Sequence, residues 1–541
     1  MNFENNNLKK ENLRKCVRNA RELREKLLTD RTRPGYHFAI PEDVGFPGDV
    51  NYCFYARGRY HLMYLYHWDD LRSHVGHMSS IDLVHWRSHP DPFGPDDLDT
   101  DIMSGGAYVD DDGTCYIALW TFPGKSNEFG GIRIAKSTDR NYEVWEKFDE
   151  YVLGSTEIGV HETVDAEGKP LYLGCADPSN IWKKNGKYYL QTGNLWVLQK
   201  FRMLGFAPQE RRDPSTFHEI PDEIRGDWVD LFESEDLHNW KYLHRFYERK
   251  ADNSWTNWDE DHMCPVFLPL PADENGNETS GKYLQLFIAH HRGCQYYIGE
   301  YNQEADKFIP ESHGRMSWVD NAFFAPEALI APDGRLIMWS WLIDTLFEEG
   351  YDGRDDLGWS GVYGLPRNLW LEKDGSLGIA PIKELEMLRY NETKDLSKLD
   401  PVSCEIKLDF ALESDSKCGI YVYKSPDGKE YTKIYYDAAA QELVMDLERS
   451  GMSSGMYHTK VVERAPLSLA AGEHLELDIF LDKAVVEVYA NKKQAITRRA
   501  YTTSAENIGI EIIEDGGKLN EICGWDMIPT NMYNHNINIQ K

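Results

Sequence analysis

The chain has 541 residues, and its 59 Lys and Arg against 90 Asp and Glu give a formal net charge of -31 at pH 7. This negative charge repels nucleic-acid phosphates and anionic membrane surfaces, so neither is an expected partner. The length exceeds what one hydrophobic core usually serves, which predicts more than one domain. The nine cysteines include no Cys-x-x-Cys pair, which argues against a disulfide framework and against a structural zinc site.

Residues 1–34 are predicted to form an N-terminal helical extension. Val17, Ala20, Leu23 and Leu27 recur at helical spacing among charged residues, which indicates one amphipathic helix. Neither this segment nor any later one contains an apolar run long enough to span a bilayer. We therefore expect a cytoplasmic protein.

Residues 35–390 are predicted to form an all-β domain. Short stretches rich in Tyr, Trp, Ile and Val alternate with Asp-Gly, Asn-Gly and Pro-Gly turns, as in residues 109–119 and 331–341. Repeated hairpins without intervening helical periods favour a propeller or a sandwich over an α/β fold.

Two aspartates in this region stand at the heads of similar hairpins. Asp49 precedes an aromatic stretch that turns at 56–59, and Asp177 precedes one that turns at 183–187. A carboxylate at the start of a packed inner strand is held rigidly, and two in one cleft suggest glycoside chemistry. The alternative is that Gly-Asp and Asp-Pro simply favour turns.

Residues 391–541 are predicted to form a second β domain. A polar connector at 391–398 separates the two regions. Residues 404–410, 419–423 and 475–481 alternate polar and apolar side chains, which is typical of half-buried strands in a sandwich.

Several motifs together resemble glycoside hydrolase family 32, the invertase and fructanase family, from His37 to Met527. They are Gly48-Asp49-Val50-Asn51, Ser104-Gly105-Gly106-Ala107, Ala176-Asp177-Pro178 and the segment 479–491. The resemblance implies a five-bladed β-propeller followed by a C-terminal β-sandwich. It also implies a retaining hydrolase of a fructofuranosidic or related furanosidic bond, with Asp49 as nucleophile and Asp177 steadying the sugar in the transition state. The expected cytoplasmic location favours short sugars as substrates.

The chain departs from the family at the general acid. The family's Glu-Cys-Pro motif corresponds to Met263-Cys264-Pro265, and a thioether can neither donate nor accept the required proton. Glu327 follows Phe323, Phe324 and Pro326, whose apolar setting would keep a carboxyl protonated, so Glu327 is the first candidate. Glu260, Asp261 and His262 are the other candidates, and a site without an acid is the remaining alternative.

The resemblance also gives candidate sugar-binding residues, although core packing explains the tryptophans and histidines about as well. No metal or organic cofactor is expected, the expected partner is a small carbohydrate, and a homo-oligomer is left open. Two other functions remain: a fructosyltransferase or difructose-anhydride-processing enzyme, and a non-catalytic sugar-binding protein. The candidate substrate-binding residues are Asn51, His67, Ser104, Gly105, Trp120, His290 and Trp341.

Overall fold

The computed structural model describes residues 30–39, 46–67, 73–124, 128–195, 225–249, 255–290, 292–343, 362–451 and 461–531. Within these ranges the chain forms β-strands and two short 3₁₀ helices. The predicted N-terminal amphipathic helix lies outside the described residues, as does the side chain of His67.

The first two blades are four-stranded antiparallel sheets that follow one another in the chain. A short strand pairs additionally with the third strand of the second blade. The strands are β1 (Phe46–Ala56), β2 (Arg59–His67), β3 (Ser73–Ser80) and β4 (Trp86–His89), then β5 (Asp99–Val109), β6 (Cys115–Pro123), β7 (Gly130–Ser137), β8 (Glu146–Lys147) and β9 (Leu153–Ser155).

A separate hairpin and the third blade come next. The predicted turn before Lys187 is present, with positive φ at both Asn185 and Gly186 as a two-residue hairpin turn requires. The hairpin is β10 (Val160–Val164) and β11 (Pro170–Gly174), and the blade is β12 (Ala176–Pro178), β13 (Trp182–Lys184), β14 (Lys187–Gly193), β15 (Trp228–Ser234) and β16 (Trp240–Glu248).

The fourth and fifth blades complete the propeller, and the prediction of a five-bladed propeller is confirmed. In the fifth blade, the short strand formed by Val362 and Tyr363 pairs with Leu342 and Trp341 at the end of the second strand. The strands are β17 (Met263–Pro271), β18 (Thr279–Ala289), β19 (Gly293–Asn302) and β20 (Lys307–Arg315), then β21 (Phe323–Ile330), β22 (Leu336–Leu342), β23 (Val362–Tyr363), β24 (Arg367–Leu371) and β25 (Leu377–Pro381).

The first strand of each blade belongs to an inner ring. β1, β5, β12, β17 and β21 contact one another in that order, and β21 returns to contact β1. Each of these strands carries a β-bulge, which bends the strand and re-aims its side chains. The bulges lie between Asn51 and Phe54, Ile102 and Gly105, Ala176 and Pro178, Met263 and Val266, and Phe324 and Glu327.

The C-terminal domain is a β-sandwich, as predicted. The first half of its long strand β27 pairs with β31 and the second half with β28, so that one strand serves both layers. The elements are a 3₁₀ helix (Lys383–Leu388), β26 (Arg389–Thr393), a 3₁₀ helix (Leu396–Lys398), β27 (Ser403–Lys424), β28 (Thr432–Asp437), β29 (Glu442–Asp446), β30 (Val462–Pro466), β31 (Leu475–Asp482), β32 (Val485–Ala490), β33 (Gln494–Arg499) and β34 (Gly509–Met527).

The sandwich packs against the propeller through a shared core. Phe480 and Tyr489 of the sandwich belong to the same buried cluster as Leu369 of the fifth blade. In the described part of the chain, none of the helices has the length and apolar character needed to cross a bilayer.

Candidate active site

Asp49 lies at an irregular point of β1 and reaches the neighbouring blade. The register shifts between Pro47 and Val50, which takes Gly48 and Asp49 out of the regular ladder with β2. The Asp49 carboxylate is half-buried and accepts a hydrogen bond from the hydroxyl of Ser104 on β5. Two inner strands therefore fix its position.

Asp177 lies at the bulge of β12, where its φ is +30°. The residue is only 4% exposed. Its Oδ2 accepts hydrogen bonds from the backbone N–H of Cys264 at 3.4 Å and from the Cys264 thiol at 3.3 Å. A non-glycine residue rarely adopts a positive φ, and such strained positions cluster at functional sites.

Cys264 brings the two aspartates into one site. Its Sγ, which lies 3.3 Å from Oδ2 of Asp177, is also 3.8 Å from Oδ2 of Asp49. Burial raises the pKa of this cysteine well above its usual value, and the charges of both aspartates act in the same direction. Cys264 is therefore a neutral thiol that donates toward the carboxylates.

The negative charge of Asp49 opposes the ionisation of Asp177. Burial, followed by the charge of Asp49, raises the pKa of Asp177 to about 7, although the bonds from Cys264 and the proximity of His290 act in the opposite direction. Two like charges in a poorly solvated site ionise in sequence, so Asp177 titrates near neutral pH.

His290 and Asp261 form a second polar pair at this site. Asp261 accepts hydrogen bonds from the His290 backbone N–H at 2.9 Å and from its Nδ1 at 2.6 Å. The carboxylate is 1% exposed and the imidazole 19%. Burial lowers the pKa of His290, but Asp261, Asp177 and Asp49 more than offset this effect and raise it above its usual value.

Glu327, the first candidate for the acid, lies immediately after the bulge of β21. It is 3% exposed, and its Oε1 accepts a hydrogen bond from the Cys53 thiol at 3.5 Å. Burial raises its pKa to about 8, although the Cys53 thiol and the backbone N–H groups of Ala328 and Tyr52 oppose this. The carboxyl is thus neutral at pH 7 and faces β1.

Met263 stands at the start of the bulge in β17 and is 2% exposed. Its Sδ lies 3.1 Å from where a Cβ on Gly193 would be, so the thioether fills space above that glycine.

The two remaining candidates for the acid, Glu260 and His262, have partners elsewhere. Glu260 pairs with Arg315 at 3.1 Å, and His262 is completely buried between Asp227 and Gln285.

The remaining candidate residues are distributed over the inner and second strands. Asn51 is buried and its side-chain amide lies 3.4 Å from the carbonyl oxygen of Asp49. Gly105 has a steric reason to be glycine, because a Cβ there would lie 2.0 Å from the carbonyl oxygen of Ala118. Trp120 is buried, and its indole N–H has no hydrogen-bond acceptor among the described residues. Trp341 packs edge-on to Phe324.

Sequence reasoning missed two features of this site. Cys264 received no role, although it belongs to the segment that matches the family's acid motif. The sequence indicates Asp261 only as a replacement acid, whereas in the structure it binds His290, and the two residues lie at the ends of different strands. The Cys-Pro pair was an available signal for Cys264, whereas no local signal indicates the Asp261–His290 pair.

Comparison with known proteins identifies the family of both domains. Residues 37–204 and 208–381 match the N-terminal domain of the glycosyl hydrolases family 32, and residues 383–526 match the C-terminal domain of that family. The matches to both domains define a glycosidase of the propeller type, whose inner strands carry the half-buried Asp49 and the buried Asp177. The chain belongs to glycosyl hydrolase family 32.

Named relatives cover most of the chain. A sucrose-6-phosphate hydrolase of Zymomonas mobilis is 27% identical over 91% of this chain and 90% of its own length. A levanase of Bacillus subtilis is 25% identical over 86% of this chain and 66% of its own length. The solved structure of fructan 1-exohydrolase IIa from Cichorium intybus shares the fold with a TM-score of 0.74, at 20% identity over 93% of this chain and 98% of that one.

Proposed function

We propose that this glycosidase hydrolyses a fructofuranosidic bond in short sugars with retention of configuration. The observation that carries the proposal is the convergence of Asp49 and Asp177, from two different blades, on the single thiol of Cys264. The names of the relatives, which include a sucrose-6-phosphate hydrolase and a levanase, support a fructoside as the substrate.

In the first step an oxygen of Asp49 attacks the anomeric carbon. The bond from that carbon to the leaving oxygen breaks, and its electron pair stays with the leaving oxygen, which takes up a proton. In the second step water attacks the same carbon, loses a proton, and the carboxylate of Asp49 leaves with its electron pair.

Asp177 acts through its charge in both steps. Ring hydroxyls of the sugar donate hydrogen bonds to its carboxylate, and these bonds strengthen as positive charge develops on the ring. This role requires the ionised form. Because burial and Asp49 raise the pKa of Asp177 to about 7, kcat/KM should fall as the pH drops below that value.

Trapping of the covalent intermediate tests the assignment of Asp49. A mechanism-based fluorofructoside should add one label per chain, and peptide mapping should place it on Asp49. Asp49→Asn should form no adduct and should lose at least about 10³-fold in kcat. Labelling of another residue would contradict the proposal.

A second candidate function follows from Met263, which stands where the family has its acid. The chain would then bind fructosides without turning them over. Fructose release by the unmodified protein, together with the labelling experiment, separates the two candidates. A protein that binds sugar in calorimetry but releases no fructose and takes up no label is a binding protein.

Substrate length and cellular location belong to the same proposal. We place the enzyme in the cytoplasm, where short imported sugars are the accessible fructosides, and cell fractionation tests this location. A panel of sucrose, sucrose 6-phosphate, 1-kestose and levan tests the substrate. Product analysis with an added sugar acceptor separates hydrolysis from transfer.

A further inference from the structure

We propose that His290, held by Asp261, is the proton donor to the leaving oxygen, in place of the carboxyl group that Met263 cannot supply. The inference rests on the proposed hydrolysis of a fructoside. It gives His290 a catalytic role and Asp261 a positioning role.

The contacts of His290 define its orientation. Asp261 accepts from both the backbone N–H and the ring Nδ1 of His290, at 2.9 and 2.6 Å. The side-chain amide of Asn321 donates to the His290 carbonyl oxygen at 2.9 Å. With Nδ1 bound to a carboxylate, the ring is fixed and its Nε2 edge points away from Asp261.

The charges around His290 suit an acid in this site. Met263 pairs with Ile288, two residues before His290, and the His290 ring lies 5.8 Å from that of Phe324 at the bulge of β21, so the imidazole lies beside the lost acid position. Against the effect of burial, Asp261 and then Asp177 and Asp49 raise the pKa of His290 and favour its protonated form. The fourth group at the site, Cys264, is a neutral thiol. The positive charge of Arg292, two residues after His290, acts on Asp259, where it opposes the rise in the pKa of that carboxyl group.

The carboxyl groups nearest to the lost acid position are held by other partners. Glu260 is bound by Arg315 and Gln295, and Asp261 is bound by His290 itself. Glu327 faces Cys53 on β1. His290 is distinguished from Glu327 by its position, because its ring is held by Asp261, two residues before Met263, whereas Glu327 lies on β21 against β1.

The proton balance is complete without a further reactant. As the bond between the anomeric carbon and the leaving oxygen breaks, Nε2–H of His290 gives its proton to that oxygen, and the imidazole becomes neutral. In the second step Nε2 takes a proton from the attacking water, and the imidazolium is restored when the bond to Asp49 breaks.

The test compares His290→Gln with the unmodified enzyme on sucrose and on an activated aryl fructoside, whose leaving group needs no proton. On sucrose, kcat/KM should fall by about 10²- to 10⁴-fold, the usual contribution of a general acid. On the aryl fructoside it should change by less than about 10-fold. His474→Gln is the matched control, because His474 pairs with Asp409 at 3.0 Å in the sandwich, and it should leave both activities unchanged.

The pH profile gives a readout that a structural role would not move. In the unmodified enzyme kcat/KM on sucrose should fall at alkaline pH as His290 loses its proton, and this limb should be absent with the aryl fructoside. Asp261→Asn removes the carboxylate that raises the pKa of His290, so its alkaline limb should move to lower pH.

Three results would overturn the inference. One is an unchanged activity of His290→Gln on sucrose, and another is an equal loss on both substrates. The third is that Glu327→Gln, rather than His290→Gln, loses activity on sucrose alone, which would assign the proton to Glu327. Each presupposes fructose release by the unmodified enzyme, so a protein that releases none refutes the proposed function instead.

Discussion

Asp177 carries a carboxyl group whose ionisation is opposed by its surroundings. Among the described hydrogen bonds of Asp177, its Oδ2 accepts only from the Cys264 backbone N–H at 3.4 Å and from the Cys264 thiol at 3.3 Å. The pKa of about 7 lies well above the value of about 3.9 in an unfolded chain. The folded state therefore retains a proton that the unfolded state has lost, and the fold loses stability as the pH rises from about 4 to about 7.

This sign predicts that Asp177→Asn stabilises the protein at alkaline pH while it abolishes activity. At pH 8 the free energy of unfolding should rise by about 1–3 kcal/mol, because the buried charge is gone. At pH 5, where Asp177 is protonated, the gain should largely vanish. Urea unfolding at both pH values measures the difference, and a variant that is equally or more destabilised at pH 8 would contradict it.

At the scale of the element, the first blade contains a chain of neutral histidines. Nδ1 of His61 lies 2.9 Å from Nε2 of His77, and the His77 ring stacks on that of His89. His61 also stacks on Phe54, with ring centroids 4.6 Å apart. Burial lowers the pKa of His61 to about 3, with smaller effects from His89 and nearby arginines, and that of His77 falls well below its usual value for the same first reason.

Acid should therefore destabilise this blade. A histidine whose pKa is lowered by folding stabilises the fold above its unfolded pKa of about 6.5, and this contribution is lost as the pH falls toward the folded value. Between pH 6.5 and pH 5 each buried histidine should cost about 2 kcal/mol.

Thermal unfolding between pH 5 and pH 7.5 tests this expectation. The double variant His61→Phe/His77→Met keeps the packed volume without the titrating groups, so its Tm should depend less steeply on pH. A slope equal to that of the unmodified protein would show that other groups cause the acid sensitivity.

At the scale of the whole molecule, the segment before the first blade is bound to the sandwich. The two carboxylate oxygens of Asp482 accept hydrogen bonds from the backbone N–H groups of Gly35, Tyr36 and His37, at 2.5, 2.7 and 2.7 Å, and from Nδ1 of His37 at 2.9 Å. Nε2 of His37 contacts Glu487 at 3.2 Å, and Glu487 also accepts from the backbone N–H of Leu365 in the propeller. Both carboxylates are completely buried, so these residues join the two domains.

Replacement of Asp482 should loosen this junction. Asp482→Asn leaves three backbone N–H groups and His37 with one acceptor oxygen fewer, and breaking a buried charged pair typically costs about 3–5 kcal/mol. Calorimetry should show a Tm lowered by several degrees. Asp409→Asn, which removes an exposed histidine pair in the same domain, is the control and should change Tm little.

Much of the fold could be predicted because its signals are local. Turn residues such as Asn185 and Gly186, and the alternation along residues 475–481, depend on backbone dihedral preferences and side-chain period within a few residues. Similar local signals, at the heads of two hairpins, predicted Asp49 and Asp177 as candidate site residues. The family motifs predicted a propeller followed by a sandwich.

Only the tertiary structure decided how the site is assembled. The thiol of Cys264 is shared by Asp49 and Asp177, Asp261 is paired with His290, and Glu327 faces Cys53. These contacts join residues far apart in the chain, and the sequence contains no local signal for them. The raised pKa of Asp177 likewise required the tertiary structure, because it depends on how completely the packed blades exclude water from the carboxyl group and on the nearby charge of Asp49.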